Sequence, residues 1–292
     1  MIEEDLTLAA TKTTSARKPL MQVIRAGGRQ LRVAVWRGKP APGQGERTPI
    51  LFFNGIGANI ELMAPLAEWF PDRDLITFDI PGVGGSPKPV APYRPWTMAW
   101  TAARVLDKLG YDRVDVMGVS WGGGLAQQFA FQHPKRTNRL ILAATSAGMI
   151  MVPGDVGSLS KMADPKRYVD PDFMLKNFQA LYGGEMGGAD DHVSRIMPPT
   201  RTGYLYQLGA MAGWTSVPFL PFIKAPTLVM MGDADRIVPL VNGKLLATLL
   251  PNARLHVVEG GGHLFLVSKA STVAPVIRDF LDEDVIEAKA AA

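Results

Sequence analysis

The sequence predicts an α/β protein: a mostly parallel, doubly wound sheet with helices on both faces and one helical insertion. Three observations carry this. Short, almost continuous apolar runs recur at 49–55 (PILFFNG), 75–80 (LITFDI), 114–120 (VDVMGVS), 140–145 (LILAAT) and 227–233 (TLVMMGD), with a weaker sixth at 254–260 (RLHVVEG). Strands buried on both faces of a parallel sheet read this way, because helices cover both sides. Segments of helical character alternate with these runs, as in βαβ units. The alternation lapses between about 146 and 222, where no buried strand is legible.

Each element has its local reason. Residues 1–18 are small and polar and read as a flexible tail. The stretch MQVIRAGGRQLRVAVW reads as a hairpin turning at or near Gly27-Gly28. NIELMAPLAEWF reads as a helix with Asn59 as its N-cap. A second helix runs from Pro95, whose missing N–H costs nothing at a first helical position, to Leu109, and stops at Gly110. A third begins at Ser120, and VNGKLLATLL and SKASTVAPVIRDFLDEDV complete the set. The expected division is a tail at 1–18, a core at 19–145 and 223–292, and a helical cap at 146–222. The cap stretch holds seven of the 14 methionines (149, 151, 162, 174, 186, 197 and 211) and many aromatics. Most such residues serve ordinary packing, but as a set an adaptable Met and aromatic surface suits flexible apolar chains.

Composition excludes several classes. At 292 residues, with 47% hydrophobic and 20% charged residues, the chain supports a sizeable core. There is no cysteine, so disulfides, thiolate metal sites and a cysteine nucleophile are excluded. The net charge of +4 is mild, and basic residues are denser before residue 40 (Lys12, Arg17, Lys18, Arg25, Arg29, Arg32, Arg37, Lys39). That density fits a solvated tail and hairpin better than an anionic surface contact. No basic block interleaved with aromatics appears, so nucleic acid is not an expected partner. The acidic opening MIEEDLTL does not read as a secretory signal, and no apolar stretch has the length of a membrane span, so the expected location is cytoplasmic.

The chemistry centres on Gly118-Val119-Ser120-Trp121-Gly122, a G-x-S-x-G match. In a chain with 30 glycines the match alone is weak. Its place between an apolar strand and a helix gives it meaning: a nucleophile elbow holds a serine on a strained turn at that seam. A serine hydroxyl needs a base. Of the four histidines, His133 reads as a helix end, His192 lies in a polar stretch and is expected exposed, and His256 is inside a strand. His263 alone follows the last strand in a glycine loop (EGGGH), where an imidazole can reach a serine at a strand's carboxyl end. The carboxylate that orients it is sought in GDADRIVP; Asp235 is preferred over Asp233, which better suits shaping the turn. The order Ser120, Asp235, His263 is that of an α/β-hydrolase. Oxyanion donors are expected in the N–H groups of Trp121 and of Ile56, in the loop Asn54-Gly55-Ile56-Gly57. The Trp121 indole is expected to form part of an apolar acyl-binding wall. FDIPGVGGS (78–86) lacks both G-x-G-x-x-G and a Walker lysine and reads as a rim loop.

The segments NGIGAN, FDIPGVGGS, GVSWGGGLAQQFA, LAATSAGMIMVPG, MAGWTS, GDADRIVPL and GGHLFLV together resemble the intracellular medium-chain-length poly(3-hydroxyalkanoate) depolymerases, capped α/β-hydrolases. The resemblance spans roughly residues 20–282. The triad pieces identify the superfamily; NGIGAN, GVSWGGG and MAGWTS are more specific. The family triad maps onto Ser120, Asp235 and His263. The resemblance implies ester cleavage of a storage polyester through an acyl-enzyme, no metal or organic cofactor, and residence on cytoplasmic granules. The polar tail and GGEMGGADDHV (183–193) depart from the pattern and bear on surface attachment and substrate range. Three alternatives stay open: a 3-hydroxyacyl transacylase or other ester-forming enzyme, a small-molecule carboxylesterase, and a non-catalytic granule-binding scaffold. Oligomeric state is not legible.

Overall fold

Eight strands form one sheet in a computed structural model that describes residues 17–283, apart from Gln44, Pro165, Glu185 and Met186. The expected tail therefore lies outside the described residues up to residue 16, as do Glu185 and Met186 of the departing cap segment and residues 284–292. Arg17 is anchored: its guanidinium donates to the carbonyls of Ala67, Phe70 and Arg37.

The chain opens with the hairpin β1 (Leu20–Ala26) and β2 (Arg29–Trp36), turning at Gly27-Gly28, both at positive φ. β3 (Ile50–Phe53) follows. The helix expected from Asn59 is broken into a 3₁₀ turn (Ile60–Met63) and a short α1 (Ala64–Ala67). Pro65 favours the break: it has no N–H to give to the Glu61 carbonyl, which accepts from Ala64 N instead. Asn59 occupies the N-cap position without capping. Its buried side chain instead donates to Arg195 O and accepts from Met197 N, tying this loop to a distant segment.

Then come β4 (Leu75–Phe78), α2 (Pro95–Leu109), β5 (Val114–Val119), α3 (Trp121–Gln132) and β6 (Thr137–Ala143). α2 ends at Gly110 in the left-handed region, as expected. Among the described residues, five α-helices and a 3₁₀ turn (Leu220–Phe222) separate β6 from β7: α4 (Val156–Ala163), α5 (Lys166–Val169), α6 (Pro171–Tyr182), α7 (Ala189–Ser194) and α8 (Arg201–Met211). The two ends of this insertion meet: Thr215 bridges Gly148, and Trp214 Nε1 donates to Gln128 Oε1 on α3. β7 (Thr227–Gly232), α9 (Leu240–Leu249), β8 (Ala253–Val258), α10 (Phe265–Ser268) and α11 (Ala270–Asp282) close the described chain.

The strand order is β1-β2-β4-β3-β5-β6-β7-β8, with β2 antiparallel to both neighbours and β3 to β8 mutually parallel. Period-two alternation divides the core. Leu51, Phe53, Val116 and Leu142 pack on one face with α2 and α3. Ile50, Phe52, Met117 and Ile141 pack on the other with α1 and α11. The chain winds outward both ways from β3, so the crevice between the carboxyl ends of β3 and β5 is a topological switch point, where open α/β sheets bind ligands.

The rim loop 81–86 is built around a carboxylate. Asp79, just past β4 and buried, accepts from the N–H groups of Ile60 and Gly85 and pairs with Arg32 Nε at 2.6 Å. Arg32 also grips Glu61 through both terminal nitrogens. Arg37 is likewise engaged, with Asp74. Part of the early basic run is therefore internal pairing.

Candidate active site

Ser120 sits at the end of β5 with φ 54° and ψ −122°, a strained conformation for a residue with a Cβ. The surroundings enforce it. Ser120 N donates to Ala143 O on β6, and its own carbonyl accepts from Gly123 N and from Thr145 Oγ1 at 2.7 Å. Two glycines let the strand and helix close this tightly. A Cβ on Gly118 would strike the Gly122 carbonyl, and a Cβ on Gly122 would strike the carbonyls of Phe53 and Asn54. α3 therefore starts hard against the end of β3, with Ser120 at its N-cap.

The loops after β7 and β8 bring two more groups to the same end of the sheet. His263 Nε2 lies 2.9 Å from Ser120 Oγ, and His263 Nδ1 lies 2.8 Å from Asp235 Oδ2. A carboxylate only accepts, so Nδ1 carries the proton and Nε2 is left to accept from the serine hydroxyl. Asp235 is fixed in turn. Its Oδ1 accepts from Ile237 N at 2.8 Å and Val238 N at 2.9 Å, so the DADRIVP loop curls around its own carboxylate. The His263 N–H donates to Tyr182 O, and the two rings lie parallel with centroids 6.4 Å apart. Asp235 and His263 are both buried, whereas Asp233 is exposed. The structure thus brings together Ser120, Asp235 and His263 and leaves Asp233 apart.

These groups open onto a pocket lined mainly by apolar side chains, among them Ile56, Leu62, Met162, Met174, Ile196 and Val267. The loop after β3 forms one wall, and a Cβ on Gly55 would come within 3.7 Å of the Ser120 Cβ. The Asn54 amide closes this loop by donating to Asn59 O. Among the described residues, neither the Ile56 N–H nor the Trp121 N–H has a hydrogen-bond acceptor. Ile56 lies in the loop after β3 and Trp121 is the first residue of α3.

Three features were not legible in the sequence, and two expectations are corrected. The Ile56–Gly57 peptide is clamped from the insertion: Tyr168 donates to Ile56 O at 3.0 Å, and Gly57 N donates to Gln207 Oε1 at 2.9 Å. Thr145, beyond β6, steadies the elbow as described above. Arg167 lines the pocket while almost wholly buried. The Trp121 indole does not form the acyl wall expected of it; its Nε1–H turns to α8 and donates to Gln207 O at 2.9 Å. His192 is not exposed as its polar neighbours led one to expect. It lines the pocket edge-on to Phe178 and Tyr182, and burial pushes its pKa down to about 4, so the ring is neutral near pH 7. His133 and His256 lie where expected, at the end of α3 and within β8.

A doubly wound sheet with a strained serine after β5, a carboxylate after β7 and a histidine after β8 defines a class. The chain belongs to the α/β-hydrolase fold family, whose model matches residues 48–185 and 192–270. Within it, the chain is 46% identical over 270 residues to the poly(3-hydroxyalkanoate) depolymerase of Ectopseudomonas oleovorans, covering 91% of this chain and 93% of that one. It is 31% identical to the 2-hydroxymuconate semialdehyde hydrolase of Pseudomonas putida, over 82% of this chain and 89% of the relative. An esterase from Exiguobacterium antarcticum shares the fold at a TM-score of 0.76 and 20% identity, covering 90% of this chain and all of that one.

Proposed function

We propose that this chain hydrolyses the ester bonds of poly(3-hydroxyalkanoate), of the medium-chain-length kind, releasing 3-hydroxyalkanoate monomers or short oligomers. The observation that carries the reading is the hydrogen-bonded relay from Ser120 through His263 to Asp235 at the mouth of an apolar pocket. The identity with a depolymerase along nearly the whole of both chains supports the substrate class.

In this reading Ser120 Oγ attacks the ester carbonyl carbon while His263 Nε2 takes its proton. Charge on the carbonyl oxygen is met by the N–H groups of Ile56 and Trp121. Collapse breaks the C–O bond, and the leaving alkoxide takes the proton from His263. Water, deprotonated by His263, then attacks the acyl-serine and frees the acid. Asp235 holds the imidazole in the required tautomer and stabilises its cation. Residues 146–222 act as a cap, and its helices supply the methionine-rich and aromatic wall against which an alkyl side chain packs. The cytoplasm, at the surface of storage granules, is the setting this chemistry fits. Among the described residues no helix is long and apolar enough to cross a membrane.

The test is hydrolysis of emulsified polyesters with short and medium side chains, alongside soluble short- and long-chain aryl esters. Release of 3-hydroxy acids from the medium-chain polymer is expected. Activity confined to soluble short esters would remove the depolymerase reading and leave a carboxylesterase. Transfer of the acyl group to a carrier thiol in preference to water would instead favour a transacylase.

A further inference from the structure

A purely neutral substrate leaves Arg167 of the pocket unexplained. It lies on α5, is 4% exposed, and lines the same cavity as Ser120 and His263. Its guanidinium has only weak or neutral company. One terminal nitrogen meets the Met162 thioether, a poor acceptor. The other meets the phenol oxygens of Tyr168 and Tyr204, and the group lies over the Tyr168 ring at 4.1 Å. Its Nε is buried with no partner. Among the described residues no carboxylate pairs with it. The two nearest along the chain are used otherwise, Asp164 accepting from Lys166 N and Asp170 capping α6 through Phe173 N. Arginine stays charged at any working pH, and a buried charge without an anion is costly. Its planar fork matches a carboxylate in two parallel hydrogen bonds.

We propose that Arg167 is a carboxylate-binding subsite of the pocket, taking the free acid end of an oligo(3-hydroxyalkanoate) or the acid released from it. The identity of the ligand rests on the ester-hydrolase reading above. The repeat unit of such a polyester is neutral, and its only formal charge is the carboxylate at one chain end. When the last ester bond is cleaved, the terminal unit leaves as an alcohol bearing that carboxylate. A fixed cation in a mainly apolar pocket selects for that end and orients it.

The experiment measures binding, without turnover, to full-length Ser120→Ala protein by calorimetry. The probes are 3-hydroxyoctanoate, its linear dimer as free acid, and the same dimer as methyl ester. The dimer acid is expected to bind roughly tenfold or more tightly than the methyl ester. Adding Arg167→Met should bring that ratio near one, while Arg167→Lys should keep part of it. A dimer acid tighter than the monomer assigns the subsite to a chain end; equal affinities assign it to the product acid. Equal binding of acid and methyl ester, including no measurable binding of either, overturns the proposal, as does a preference that survives Arg167→Met. The first comparison decides even where the Arg167 variants fail to fold. Because no ester is cleaved, failure of the wild type to hydrolyse polyester would sink the depolymerase reading and leave this result standing.

Discussion

The strand-end loops and the helices between β6 and β7 contribute to one pocket in opposite ways. The strand ends deliver Ser120, Asp235 and His263, each within a few residues of a parallel strand; backbone N–H groups of the core hold the Asp235 carboxylate, the Ser120 N–H bonds β6, and the His263 N–H alone reaches into the insertion, to Tyr182 O. The insertion brings side chains that reach inward from short helices, among them Tyr168, Gln207, Arg167 and His192. The first set is positioned by a sheet that cannot shift without unpairing. The second depends on side-chain contacts between elements of four to twelve residues. In the proposed function, chemistry falls to the strand ends and selection to the insertion. Substitutions in the two regions should then differ in kind.

The largest effect should come from the strand-end set. Ser120→Ala should lower kcat on an aryl ester by about 10⁴-fold or more, since triad members act as a unit. Turnover near wild type would break the comparison at its root. Asp235→Asn should cost about 10³- to 10⁴-fold, because an amide can hold the imidazole in the wrong tautomer. Asp233→Asn, at an exposed carboxylate, should stay within about twofold. The reverse ranking would move the acid.

Substitutions in the insertion should be milder and should fall on kcat through positioning. Gln207→Leu and Tyr168→Phe each free one end of the Ile56–Gly57 peptide. Each is expected to lower kcat roughly tenfold, less than deleting an oxyanion donor outright, with little change in KM for a small ester. Unchanged kcat in both would show that the β3 loop holds its shape without the insertion.

The smallest effect concerns stability in acid. Folded His192 titrates near 4, below the ordinary histidine value of 6.5. As pH falls from 6.5 toward 4 the unfolded chain takes up a proton that the folded ring refuses. The stability associated with the neutral ring is thus present above 6.5 and is lost on acidification. His192→Phe should therefore lose less melting temperature than wild type between pH 7 and pH 4. Parallel losses would mean that other groups govern acid sensitivity.

How far each region could be read in advance follows the same line. Five apolar runs became β3 to β7, largely buried strands in which few polar positions blur the signal, and the weaker sixth became the edge strand β8, which is only partly buried. Gly110 marked the end of α2, since a left-handed residue there is written in the sequence as glycine. Ser120, His263 and Asp235 were legible because an elbow, a glycine loop and an Asp-rich turn each have a local signature next to a strand. Asn59 misled: its residue type suits a cap, but its side chain is recruited by Arg195 and Met197 across the fold.

Sequence by itself determined the strand runs, the chain order of the proposed reacting groups and the glycines that let strand and helix meet at the serine, because those are set by neighbours along the chain. Tertiary structure alone decided that the Trp121 indole turns to α8, that His192 is drawn in among aromatic rings, that Tyr168 and Gln207 clamp a loop more than a hundred residues away, and that Arg167 lies buried with no carboxylate partner among the described residues. Those outcomes depend on which surfaces the short helices bury against, and a long-range contact leaves no periodic trace in the segment that makes it.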